Sequence, residues 1–237
     1  MSETVFSVDA ILFDMDGTLV DSTAGVAGAW EVFQESYPGI DIDDILSSSH
    51  GVRTVENLRK HCGIDDPDLL EKEAQRFEEA IVTSSTKNGR PGIVQLPGVA
   101  QILSEIEQYR RLSSPRWAIC TSATRMYATA ALKSAKVPCP EVLVAAEDVT
   151  QGKPQPDPYL LGAKLCGVDP VNCVVFEDAP SGVRSGRAAG CRTIGLLTTH
   201  SREKMEAAGP DILVNDLSSV FVRAKETGGL EISISTA

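Results

Sequence analysis

Short, unbroken apolar runs that end in small polar or acidic residues recur along the chain. The first covers residues 5–13, is rich in β-formers, and stops at Asp14-Met15-Asp16-Gly17-Thr18. Residues 117–120 stop at Thr121-Ser122, residues 142–144 at Ala145-Ala146-Glu147-Asp148, and residues 174–176 at Glu177-Asp178. Residues 193–197 stop at Thr198-Thr199, and residues 212–214 at Asn215-Asp216. Each reads as a strand running into a polar turn. The stretches between them carry a helical period. Residues 98–109 place Val99, Ile102, Leu103 and Ile106 on one face, and 124–136, 156–166 and 179–189 also read as helices. Strands that are apolar along their length, alternating with helices, predict a parallel sheet covered on both faces. The expected fold class is α/β, with a doubly wound parallel sheet.

One region breaks the alternation. Residues 22–92 read as helical without a convincing strand, with helices clearest over 24–36 and 67–83. An insert of this length exceeds a crossover, so it predicts a small second domain, with 1–21 and 93–237 forming the core. Asn88-Gly89-Arg90-Pro91-Gly92 reads as its return hinge. The tail alternates apolar and polar from Gly228 to Ser235 and predicts an edge strand.

Charge narrows the partners. The chain has 237 residues, with 22 Lys+Arg against 33 Asp+Glu, a formal net charge of −11. It lacks the basic footprint of a nucleic-acid or anionic-membrane binder. No run approaches the ~18–20 apolar residues of a membrane helix, and no secretory signal opens the sequence. The six cysteines show no C-x-x-C spacing, and Cys120, Cys173 and Cys191 lie in or beside the apolar runs. They read as reduced cysteines of a cytoplasmic protein. The expectation is a cytoplasmic monomer with no nucleic-acid and no membrane partner.

In open α/β sheets ligands bind at the carboxyl ends of the strands. Those ends carry Asp14 and Asp16, Thr121 and Ser122, and Glu177 and Asp178, while the loop Gly152-Lys153-Pro154-Gln155-Pro156-Asp157 adds a lysine. Each piece also has a plainer reading. The Asp-x-Asp-Gly-Thr string could be an Asx turn, Glu177-Asp178 a helix N-cap pair, Thr121-Ser122 a cap, and Lys153 a solvated loop residue. Jointly they converge on one crevice. Four carboxylates there repel one another and call for a cation, and oxygen donors suit Mg²⁺ rather than zinc.

The set D-x-D-G-T, strand-T-S, G-K-P-x-P and strand-E-D resembles the haloacid dehalogenase superfamily. That resemblance implies a Rossmann-like core with a helical cap inserted after the first strand. It implies Asp14 as nucleophile, Asp16 as general acid/base, Thr121 as phosphate ligand and Lys153 as the charge-neutralising group. It also implies Mg²⁺ held by Asp14, the main-chain carbonyl of Asp16, and Asp178, with Glu177 beside it. Three strings are similar to those of fungal glycerol-3-phosphate and 2-deoxyglucose-6-phosphate phosphatases: Ser49-His50-Gly51-Val52-Arg53-Thr54, the segment from Gly152 to Leu160, and Phe176-Glu177-Asp178-Ala179-Pro180-Ser181-Gly182.

His50 and Arg53 read as cap residues facing the crevice, with Ser122 completing a substrate-binding set. The plainer alternative makes His50 a helix cap and Arg53 a surface ion-pair partner. The expected function is a Mg²⁺-dependent phosphatase that works through an aspartyl phosphate. Its expected substrates are small polyol or sugar monophosphates, glycerol 3-phosphate first and 2-deoxyglucose 6-phosphate second. A sugar-phosphate mutase on the same scaffold would use the same aspartates. A carbon–halogen dehalogenase has no need of Asp16, and a non-catalytic binding module has no need of Asp14.

Overall fold

The computed structural model describes residues 2–48, 51–107, 116–225 and 228–236. The chain runs through β1 (Ser2–Val8), β2 (Ala10–Phe13), β3 (Val20–Asp21), α1 (Thr23–Ser36), α2 (Ile42–Ser48), α3 (Thr54–Cys62) and α4 (Pro67–Ser84). It continues through β4 (Val94–Gln95), α5 (Val99–Glu107), β5 (Trp117–Cys120), α6 (Arg125–Ser134), β6 (Val142–Val144) and α7 (Asp157–Leu165). The last elements are β7 (Cys173–Glu177), α8 (Pro180–Ala188), β8 (Arg192–Leu196), α9 (Arg202–Ala208), β9 (Ile212–Val214), β10 (Val220–Ala224) and β11 (Leu230–Thr236).

Six strands form one sheet in the order β6-β5-β2-β7-β8-β9, and every neighbouring pair is parallel. This is the doubly wound α/β fold expected. Strand β2 is central, and Ala10, Ile11, Leu12 and Phe13 are all fully buried, which is why no polar position interrupts them. Phe13 stacks on Phe176 with ring centroids 5.3 Å apart and meets the Trp117 ring edge-on at 6.1 Å. The strand order reverses between β2 and β7, so the crevice of the sheet opens at their carboxyl ends.

The first apolar run is two strands rather than one. Strand β1 leaves the parallel sheet and joins a small antiparallel sheet of order β1-β11-β10. The break falls at Asp9, whose N–H is claimed by the Asn172 carbonyl at 2.7 Å. The tail is a strand as expected, but not an edge: β11 is central, paired with β1 on one side and β10 on the other. Strand β10 was not foreseen.

Helices α1 to α4 fill the stretch between β3 and β4, and those two short strands lie antiparallel, Val20 against Gln95 and Asp21 against Val94. The two crossings of the chain are therefore hydrogen-bonded to each other. The helical segment has its own aromatic centre, with Trp30 and Phe33 of α1 against Phe77 of α4 at centroid distances of 4.5 and 5.0 Å. Helix α4 starts sharply because Asp66 accepts the Leu69 N–H at 2.8 Å and Pro67 occupies the first turn. Among the described residues no helix is long and apolar enough to cross a membrane. All six cysteines are free, four of them buried, with Cys139 exposed and Cys62 in between.

Candidate active site

The central strands deliver their acids side by side. Asp14 follows β2, while Glu177 ends β7 and Asp178 follows it. Carboxylate oxygens of Asp14, Glu177 and Asp178 lie within 4.8 Å of one another, and all three residues are buried. Lys153 enters from the loop before α7 and is 5% exposed. Its Nζ donates to Asp14 Oδ1 at 2.5 Å and to Glu177 Oε1 at 2.6 Å.

The remaining contacts of these acids come from residues that sequence reasoning did not single out. Tyr159 Oη donates to Glu177 Oε1 at 2.7 Å, and the Ala179 N–H donates to Oε2 at 3.1 Å. Both Glu177 oxygens are thus engaged by protein donors. Gly182 is required beside them, because a Cβ there would overlap the Glu177 carboxylate. Thr18 Oγ1 donates to Asp178 Oδ1 at 3.3 Å, and Thr199 Oγ1 donates to Asp178 Oδ2. Gly17 has φ +83°, and a side chain there would strike Asp178, so both turn and space demand glycine.

Burial raises the Asp14 carboxyl well above its ordinary value; the neighbouring lysine opposes this, and the two other acids add to it. Burial, then the Glu177 charge, pushes Asp178 up to about 7. Burial works against the Lys153 ammonium, yet Asp14 and Glu177 outweigh it and hold the lysine charged. When all three acids are ionised, one lysine leaves two negative charges without compensation. A buried cluster of that sign, built only from oxygen donors, fits a hard divalent cation.

Asp16 faces a different way. Its Oδ1 accepts Ser22 Oγ at 2.6 Å and Tyr127 Oη at 2.8 Å. Burial raises its carboxyl, and these two hydrogen bonds oppose the rise. Asp14, Asp16, Thr121, Ser122, Trp30 and Tyr127 line a cavity of about 90 Å³. Thr121 is buried and its hydroxyl accepts the Ala123 N–H at 3.1 Å. A larger cavity of about 550 Å³ adjoins it through Thr54 and Ser122 and includes Arg53 and Glu78.

Besides the Ser22–Asp16 bond, hydrogen bonds at Gly51, Arg53 and Glu78 tie the helical segment to the rest of the molecule. The Gly51 carbonyl accepts Ser122 Oγ at 3.3 Å and Ser181 Oγ at 3.2 Å. Arg53 Nη2 donates to the carbonyls of Ala146 and Val149, each at 2.9 Å. Glu78, 1% exposed on α4, accepts Thr54 Oγ1 at 2.9 Å, the Thr124 N–H at 3.3 Å and the Thr124 hydroxyl. Arg53 was expected to hold substrate; here one guanidinium nitrogen is spent on backbone carbonyls. Ser122, expected likewise, bonds Gly51. His50 lies outside the described residues. The structure therefore brings Asp14, Asp16, Thr121, Ser122, Lys153, Glu177 and Asp178 together, as the strand-end argument required.

Known proteins place this arrangement. The family profile of haloacid dehalogenase-like hydrolases matches residues 8–190. The chain belongs to that family. Hexitol phosphatase A of Escherichia coli is 37% identical to it over 93% of this chain and 97% of that protein. Glycerol-1-phosphate phosphohydrolase 1 of Saccharomyces cerevisiae is 34% identical over 91% of this chain and 85% of that protein. A hydrolase from Pseudomonas syringae superposes with TM-score 0.74 at 25% identity, covering 89% of this chain and 94% of that one. This haloacid dehalogenase-like hydrolase is an enzyme of the family's phosphatase group.

Proposed function

We propose that the chain hydrolyses small polyol or sugar phosphate monoesters through a phosphorylated Asp14, with Mg²⁺ as its metal. The observation that carries this reading is the buried Asp14, paired with Lys153 and crowded by Glu177 and Asp178, with Asp16 in the wall of the same cavity. A carboxylate is a competent nucleophile for phosphorus once the charges around it are balanced.

The Asp14 carboxylate attacks phosphorus as the bond to the leaving oxygen breaks. Asp16 gives that oxygen a proton. Asp16 then takes a proton from the water that attacks the acyl phosphate, which frees inorganic phosphate and restores Asp14. Lys153 stays charged throughout, held by Glu177, and offsets the phosphoryl charge. Thr121 and the main-chain N–H groups near Met15, Asp16 and Ser122 would cradle the phosphoryl oxygens. Asp14, Asp178 and the Asp16 carbonyl, with Glu177 beside them, would hold the cation, which supplies charge neutralisation at the phosphoryl group.

Residues 22–92 act in this reading as a cap over the sheet. The small cavity of about 90 Å³ beside Asp14 and Asp16 favours a compact leaving group. Glycerol phosphate is the first substrate in this reading and 2-deoxyglucose 6-phosphate the second; the name of the bacterial relative adds hexitol phosphates. The test is phosphate release from a panel of glycerol, hexitol, sugar, nucleotide and phosphopeptide esters, with and without Mg²⁺. Fast, Mg²⁺-dependent turnover of the first three groups is expected. A nucleotide or phosphopeptide that leads by a wide margin would overturn the substrate class.

A further inference from the structure

The two carboxylate oxygens of Asp16 meet different surroundings. Oδ1 accepts two hydroxyls, from Ser22 at 2.6 Å and Tyr127 at 2.8 Å. Among the described residues no hydrogen bond reaches Oδ2. Ser22 stands at the start of the helical segment, and Tyr127 comes from α6 on the sheet side. Tyr127 is itself fixed. It is 3% exposed, and its N–H donates to Thr124 Oγ1 at 3.3 Å. The same Thr124 hydroxyl donates to the buried Glu78 of α4. Burial and the adjacent Asp16 keep the Tyr127 phenol protonated, so it remains a donor.

We propose that Tyr127 is a positioning residue for proton transfer: it pins Oδ1 of Asp16 so that Oδ2 carries the proton. This rests on the phosphatase reading above. In the first step an Asp14 carboxylate oxygen bonds to phosphorus as the P–O bond of the ester breaks, that bond's electron pair stays on the leaving oxygen, and the proton on Oδ2 passes to it. In the second step a water proton returns to Oδ2 as the water oxygen bonds to phosphorus, and the bond from phosphorus to Asp14 breaks with its electron pair returning to the Asp14 carboxylate. A carboxyl free to rotate would present either oxygen and lose much of the benefit of a placed acid.

Leaving-group chemistry separates this role from a structural one. An alkyl phosphate expels a strongly basic alkoxide and needs the proton, whereas p-nitrophenyl phosphate expels a weakly basic phenolate and does not. The parameter kcat/KM reports events up to the first irreversible step, the phosphorylation of Asp14. The experiment measures kcat/KM for glycerol phosphate and p-nitrophenyl phosphate in Tyr127→Phe, Ser22→Ala and Asp16→Asn, with Mg²⁺ present. A well-placed acid contributes roughly 10²–10⁴-fold, so losing one of two anchors is expected to cost the alkyl ester about 10-fold or more. The aryl ester is expected to lose less than about 3-fold, because the phenolate leaves unaided. Ser22→Ala gives the same signature, and the double variant approaches Asp16→Asn. Equal losses on both esters in Tyr127→Phe, no loss, or a gain would overturn the proposal. If Asp16→Asn loses equally on both esters, the acid role itself leaves Asp16 and the Tyr127 proposal falls with it.

Discussion

The sheet side and the helical side of the candidate active site are built on different physics. On the sheet side, Asp14, Lys153 and Glu177 are tied by charge-assisted bonds of 2.5 and 2.6 Å, and all are almost wholly buried. On the helical side, the contacts are a glycine carbonyl taking two serine hydroxyls, a guanidinium on two carbonyls, and Glu78 on two threonines. A buried charge cluster is costly to separate, whereas the hydrogen bonds of the boundary can be exchanged for water, the buried Glu78 being the costliest of these contacts to open. On the proposed function, the contrast means that the chemistry is preorganised in the sheet, while the helical side supplies enclosure through bonds that can be remade.

The strongest way to break this division is at the nucleophile. Asp14→Asn is expected to lower phosphate release by roughly four orders of magnitude or more. Its melting temperature should be unchanged or higher, because one crowded charge is gone. A purified variant that keeps a substantial fraction of activity would sink the assignment. Next comes the metal. Excess chelator is expected to reduce turnover at least ~100-fold, with recovery on adding Mg²⁺. Added Mg²⁺ should also raise the melting temperature of the wild-type chain but hardly that of Asp178→Asn; full activity in chelator contradicts the cluster's role.

Smaller effects sharpen the comparison. Glu177→Gln keeps the shape but weakens the hold on Lys153 and Tyr159, so a loss of about 10- to 100-fold in kcat is expected. Kinetics indistinguishable from wild type would show that Asp14 alone positions the lysine. Arg53→Ala removes two bonds to Ala146 and Val149 across the boundary. A rise in KM of about 3- to 10-fold is expected, on alkyl and aryl esters alike. A loss confined to polyol esters would instead mean that Arg53 reads substrate hydroxyls.

The sheet wall was legible because its rule is local. An unbroken apolar run followed by acids marks a buried parallel strand and its carboxyl end, so Asp14, Thr121, Glu177 and Asp178 could be placed without coordinates. Lys153 was legible by its motif. The other wall obeys no local rule. Glu78 looks like one more charge on an amphipathic helix, and its burial depends on Thr124, 46 residues away. Tyr127 reads as an apolar face position of α6, while its hydroxyl reaches Asp16 across 111 residues. The tail shows the same limit. Its alternation announced a strand, but whether that strand is an edge or a centre is decided by Ser2–Val8 at the far end of the chain.

That pairing has a consequence for how the molecule is made. Strand β1 is made before every other described element, and its one strand partner among the described residues, β11, is made after all of them. The helical segment and much of the parallel sheet have all their residues in hand well before then. During synthesis Val5, Phe6 and Val8 must therefore wait for their strand partners until the elements between β1 and β11 have been made. The closing of β11 onto β1 then joins the first described strand to the last, a contact of very large sequence separation and so of high entropic cost to form. A nascent chain stalled short of residue 230 should hold a folded helical segment beside an open first strand, ready for a chaperone to grip.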